Sequence, residues 1–204
     1  LLTGRYSGSP ESRFDKDIKA VHDRPFADVL AEIEAAELSD AFWDFGLPQA
    51  LNTSSVNAPA IKVFWAAQAN RGDKGFLSKD ITVRDMLTHH GDIHHIFPKN
   101  FLKNRGLARS RYNQVANFVF VQQEVNIKIS HTAPATYMAD VFAQCDSGEA
   151  RYGAITRLDD LKANLVANCL PEELAAYQPE RFEEFLAERR KLMAQKIKHY
   201  YWAL

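Results

Sequence analysis

Cysteine is scarce. Only Cys145 and Cys169 occur among 204 residues, far apart and without a CxxC pair, so neither a disulfide framework nor a four-cysteine zinc site can be built from them. A reducing, cytoplasmic setting is expected. No apolar run approaches the roughly 20 residues that a membrane-spanning helix needs, so no membrane partner is expected. The opening Leu1-Leu2-Thr3-Gly4-Arg5-Tyr6 lacks a basic stretch leading into an apolar one, which gives no secretory signal. With no initiator methionine, the chain is expected to begin inside a longer protein. Internal repeats and low-complexity segments are missing too, which sets aside solenoids and disordered tails.

What is present is an ordinary globular composition, 46% hydrophobic and 25% charged, with a formal net charge of −1. The net value gives no hint of nucleic acid, but its distribution does. From Ile93 to Gln123 no acidic residue occurs, while Lys99, Lys103, Arg105, Arg109 and Arg111 all fall there. Such a patch can neutralise phosphates or can simply be a solvated basic loop.

Apolar residues at three- and four-residue intervals (Phe14, Ile18, Val21, then Phe26, Val29, Leu30, Ile33) predict two helices between Glu11 and Glu37, with Pro25 opening the second. A helix is predicted from Pro59 to Asn70, stopped near Gly72, and a short one from Thr82 as N-cap to about Leu87. Phe182, Phe185, Leu186, Leu192, Met193, Ile197 and Tyr200 form one stripe of a long amphipathic helix in Pro179 to Leu204, a face suited to core packing. The middle of the chain differs. Ile93 to Phe97 and Asn117 to Val121 are short β-prone runs, separated by a long polar loop and followed by a helix over Gln122 to Ile129.

Four of the seven histidines, His89, His90, His94 and His95, crowd into seven residues beside the first β run. Histidine titrates near neutrality and binds metals, yet His89 and His90 at a helix end fit a structural role. The segment Asp92-Ile93-His94-His95-Ile96-Phe97-Pro98-Lys99, then Asn117 at the second run, then Asn126 on the ensuing helix, resembles in order the three motifs of the HNH, or ββα-metal, nucleases. A narrower likeness links His94 to Asn100, Asn117, Asn126, Pro134-Ala135-Thr136-Tyr137, the opening Leu2 to Ser7 and the stretch Phe182 to Arg190 with the C-terminal nuclease domain of GmrSD-type modification-dependent restriction endonucleases and related phage-defence proteins.

The resemblance implies a mainly α (α+β) fold: a helical region over 1–88 as a fragment of a longer protein, a ββα-metal core over 89–142, and a C-terminal helical region over 143–204 packed on the first. It implies a metal-dependent DNA endonuclease of a restriction or antiviral system, although RNA would present the same phosphodiester. Water needs a base to attack phosphorus at neutral pH, and His95 is the expected one. Magnesium, which keeps most of its waters, would be held by His94 and Asn126 with Asp92 as a further ligand or orienting group. The imidazole of His94, where many members have Asp, also admits manganese or zinc. Asn117 is expected to hold the loop that carries the base, and His131 is a further candidate ligand. The basic residues of the loop, with Lys128, are expected to meet DNA phosphates. Members of this family typically carry an N-terminal ParB-like nucleotide-hydrolysing domain, and nothing in this chain matches it, so that domain is an expected partner elsewhere in the same protein; an oligomer is compatible with double-strand cleavage. Two other readings stay open: a catalytically inactive helical module that binds nucleic acid or a partner, and a structural zinc domain using Cys145 or Cys169.

Overall fold

Helices dominate the molecule. The structure is a computed structural model that describes residues 1–89 and 93–204. In chain order, α1 (Glu11–Asp23), α2 (Phe26–Glu37), α3 (Leu47–Ala50), α4 (Pro59–Arg71) and α5 (Val83–Thr88) lead to the strand β1 (Ile93–His95). The short helices α6 (Lys99–Lys103) and α7 (Arg109–Tyr112) then precede a 3₁₀ turn, Val115–Asn117, and the strand β2 (Phe118–Phe120). The chain closes with α8 (Gln123–Ile129), α9 (Pro134–Ser147), α10 (Leu158–Ala167) and α11 (Phe182–Tyr201).

The expected punctuation operates. Pro25 sits at the N-cap of α2, one residue outside the first turn. Gly72 ends α4 in the left-handed conformation, φ +68°, that glycine adopts without a Cβ penalty. Thr82 opens α5 through a reciprocal capping box with Asp85: the Thr82 Oγ1 accepts the Asp85 N–H at 3.0 Å, and the Asp85 carboxylate accepts the Thr82 N–H at 2.9 Å.

The interval between the two β runs, expected as loop, is largely taken up by α6 and α7. Their buried residues explain the order: Phe101, Leu102 and Tyr112 point inward, so the segment is packed while its charged side chains stay outside. Both strands are shorter than their apolar runs, because Asn117 belongs to the 3₁₀ turn and Ile96 to Pro98 turn away into α6.

One cluster of buried side chains runs from Trp43 to Ile197. The stripe of α11 supplies Phe182, Phe185, Leu186, Met193 and Ile197 to it. Phe97, fully buried just after β1, packs between Phe182 and Phe185, with ring centroids 5.1 and 4.9 Å away. Burial of such an aromatic is worth about 2–3 kcal/mol, and here it anchors the end of β1 to the C-terminal helix. The apolar stripe of α1 behaves differently, for no residue of that helix is buried and Ile18 is 63% exposed. Among the described residues no helix is long and apolar enough to cross a membrane.

Candidate functional site

β1 and β2 pair antiparallel, with Ile93 opposite Phe120, His94 opposite Val119 and His95 opposite Phe118. Successive side chains of a strand alternate between faces, which places His94 and His95 on opposite sides of this two-stranded ribbon. The His95 ring stands edge-on to Phe118, its cross-strand partner, at 5.0 Å and 84°. Beyond His95 the pairing continues for one more bond, Ile96 N–H to the Asn117 carbonyl at 2.9 Å. Val121 forms an isolated parallel bridge with Phe76, whose N–H donates to the Phe120 carbonyl at 2.8 Å and so backs the outer edge of β2.

Asn117 is the fulcrum. Its side chain is fully buried; Oδ1 accepts the Phe97 N–H at 2.9 Å, while Nδ2 donates to the Phe97 carbonyl and to the Tyr112 carbonyl, each at 3.1 Å. Three backbone groups that would otherwise be buried without partners are thereby satisfied. The exit of β1 and the end of α7 are tied to one point at the start of β2. Asn117 thus holds the backbone two residues beyond His95, and its own side chain is bonded to Phe97 and Tyr112.

Two further groups complete the support. The Tyr137 hydroxyl, from α9, donates to the Ile96 carbonyl at 3.0 Å, and its burial pushes the phenol pKa far up, so it remains a donor. Arg189, on α11, is 1% exposed and donates to the Ala116 carbonyl at 2.8 Å and the Asn168 carbonyl at 3.3 Å. Burial, with no carboxylate partner among the described residues, pulls the Arg189 guanidinium down to about 10. Side-chain donors on α9 and α11 therefore hold the backbone carbonyls at the exit of β1 and just ahead of β2.

Among the described residues His95 also meets Asn113, which sequence reasoning did not single out. His95 Nε2 lies 3.2 Å from Asn113 Oδ1. Burial lowers the His95 pKa by disfavouring the imidazolium; the Asn113 bond works against that, while the charge of Lys99 and the neighbouring His94 add to the lowering. The net direction is down, so His95 is held neutral and able to take a proton near neutral pH. The only signal for Asn113 in the chain is its position, an asparagine four residues before Asn117 at the end of a basic, loop-like stretch.

The other expected site residues are spread around this seam. His94 is half-buried on β1, and Asn126 is half-buried within α8, directly after β2. Asp92, the expected carboxylate, lies outside the described residues, as does His90. His89 is exposed at the end of α5, with Nδ1 2.9 Å from the Asp85 carbonyl, and His131 follows α8 beside the Ser130 hydroxyl. Among the described residues no group of three or more His, Cys, Asp or Glu side chains is arranged to hold a metal ion. Cys169 is buried with Sγ against the Leu192 carbonyl, and Cys145 is half-buried on α9.

The basic side chains divide into two kinds. Arg105 lies over the Phe101 ring, 3.8 Å from its centroid, and Arg111 forks onto Glu183 at 3.0 and 2.6 Å. Lys99, Lys103 and Arg109 are exposed on α6 and α7 without an ion pair among the described residues, and Lys128 is exposed on α8. Both short helices border the His95 seam.

The comparisons with known proteins add little chemistry. No family model matches the chain, and no solved structure does. The chain is similar to an uncharacterised protein of Methanocaldococcus jannaschii, 26% identical over 212 residues that cover 97% of this chain. It spans 35% of that relative's length.

Proposed function

We propose that this chain is the nuclease part of a longer polypeptide and hydrolyses DNA phosphodiester bonds in an HNH-type, ββα-metal site with His95 as the general base. One observation carries the reading: a neutral histidine at the end of a strand whose continuation is gripped on both sides by Asn117, at the entry to a second strand that leads straight into the helix bearing Asn126. That order and that clamp support the resemblance to an HNH site, in which the middle asparagine holds the loop that carries the base.

The chemistry follows from the residues. A water molecule attacks phosphorus as its proton passes to His95; the P–O3′ bond breaks, and the departing oxygen is protonated from solvent. Depression of the His95 pKa keeps its ring unprotonated at the pH where it must act. His94, on the face of β1 opposite that of His95, and Asn126 on α8, with Asp92 as the expected carboxylate, would hold a divalent ion through one imidazole, one amide oxygen and one carboxylate. Magnesium accepts such a site, and His94 also admits manganese or zinc. When bound, the ion supplies Lewis-acid stabilisation of the leaving oxygen. Lys99, Lys103 and Arg109, with Lys128, neutralise phosphates beside the base.

The archaeal relative's greater length leaves room for a nucleotide-hydrolysing domain of the ParB-like kind, and a role in restriction of foreign or modified DNA in the cytoplasm accords with that architecture. The test is plasmid nicking with added magnesium, manganese or zinc, comparing the wild type with His95→Ala. Metal-dependent cleavage that disappears in the variant, with folding and DNA binding retained, supports the reading. Equal cleavage by both proteins, or none by the wild type with any metal, overturns it.

A further inference from the structure

We infer that Asn113 is a positioning residue that fixes the tautomer of His95, keeping Nε2 protonated and leaving Nδ1 as the basic nitrogen. The proposed function names the base but not the nitrogen, and the catalytic consequence drawn below rests on that reading; the tautomer itself does not.

A neutral imidazole carries one N–H and one lone pair, and the group bonded to one nitrogen decides which is which. Asn113 presents Oδ1, an acceptor, to Nε2 at 3.2 Å, so the proton sits on Nε2 and Nδ1 keeps its lone pair. The ring has little freedom to change this. Phe118 meets it edge-on at 5.0 Å, and Tyr112 lies at 6.3 Å on an adjoining side.

Asn113 is itself held in place. It caps α7, its N–H donating to the Arg109 carbonyl at 3.0 Å, and the preceding carbonyl, that of Tyr112, is fixed by Asn117 Nδ2. The Asn117 clamp therefore sets both partners: it holds Phe97, two residues beyond His95, and Tyr112, one residue before Asn113. An amide cannot take up the imidazole proton, so Asn113 orients the ring and stabilises its positive charge after proton uptake without entering proton transfer. Arg109, one turn before Asn113 on the same helix, joins a candidate phosphate contact to this platform.

The test uses the whole chain labelled with ¹⁵N on histidine, at a pH where His95 is neutral, together with kcat and KM for cleavage of a duplex in the presence of magnesium or manganese. Nitrogen shifts report the protonated nitrogen directly. The wild type should show Nε2–H alone; Asn113→Ala should show a mixture of tautomers, with kcat lower by about 10- to 100-fold, the size of loss that follows when the outer hydrogen-bond partner of a metal-bound histidine is removed, and KM within about twofold. Asn113→Asp keeps an acceptor, and should keep the tautomer and recover most of kcat. A wild type protonated on Nδ1, or an Asn113→Ala protein with unchanged tautomer, overturns the proposal. Tautomer shifts as expected in a chain that cleaves nothing would retain the positioning role of Asn113 and remove the nuclease reading instead.

Discussion

Asn117 holds Phe97 by both backbone groups, accepting its N–H at 2.9 Å and donating to its carbonyl at 3.1 Å. A side-chain amide used in this way replaces one residue of β-ladder where the chain must leave the sheet. Because the third bond, to the Tyr112 carbonyl, shares the same nitrogen, truncation orphans three buried backbone groups together. Asn117→Ala should lose roughly 2–4 kcal/mol of stability, from lost bonds and unsatisfied partners. Asn117→Asp should be no better, since a carboxylate satisfies the Phe97 N–H but faces two carbonyl oxygens. Urea unfolding of the two variants measures this, and a loss below about 0.5 kcal/mol in both would contradict the clamp.

Arg189 carries a second stability argument. Its guanidinium is buried against carbonyls, and burial alone lowers its pKa. Desolvating that charge is costly, whereas its stem fills core volume. Arg189→Met retains the volume and removes the charge, so it should destabilise clearly less than Arg189→Ala, which adds a cavity. The order of their urea midpoints decides the matter; an inverted order would mean that the bonds to Ala116 and Asn168 outweigh packing and desolvation.

For His95 the sign of the pH dependence is fixed by its surroundings. Burial, then Lys99 and His94, hold its pKa below the usual 6.5 in spite of the Asn113 bond. If the neutral ring is the base, the acid limb of kcat/KM falls below pH 6.5, and activity persists where a free histidine is largely protonated. The unfolded chain then takes up the proton first as pH falls, so this group's contribution to stability is complete above about 6.5 and is lost as pH drops towards the folded value. Lys99→Gln removes one cause of the shift and should move the acid limb upward. A pH–rate profile of the two proteins checks the direction, and an acid limb above 6.5 in the wild type would exclude His95 as the titrating group.

Much of this arrangement was legible in the chain, and what was hidden has physical reasons. Thr82, Gly72 and the stripe of α11 act through local rules of capping and periodicity, which a sequence displays openly. His95 and Asn117 stand out because their residue types and order resemble a known motif. Asn113 does not, because a side chain that serves by reaching 18 positions back along the chain leaves no periodic trace. Tyr137 and Arg189 lie in segments that carry the family likeness, but their roles stay hidden for the same reason: each is a polar group on a buried helix face, and only the fold reveals that a backbone carbonyl waits opposite. The helices α6 and α7 were missed because their few inward residues, Phe101, Leu102 and Tyr112, are too sparse to set a helical period among so many charges.

Arg111 is engaged by Glu183 through two nitrogens, while Arg109 and Lys103 are exposed and make no ion pair among the described residues. Each phosphate contact releases condensed counterions, so each lysine or arginine that truly meets DNA adds about one to the slope of log affinity against log salt. Arg109→Ala and Lys103→Ala should each lower that slope by about one and weaken binding evenly across sequences. Arg111→Ala should lower the slope less than either, because its fork already faces the Glu183 carboxylate. Glu183→Gln weakens that engagement and removes a negative charge beside the patch, so it should tighten binding and steepen the slope. Fluorescence anisotropy with a labelled duplex over a salt series distinguishes these variants, and a slope unaffected by Arg109→Ala and Lys103→Ala would move the DNA path away from α6 and α7.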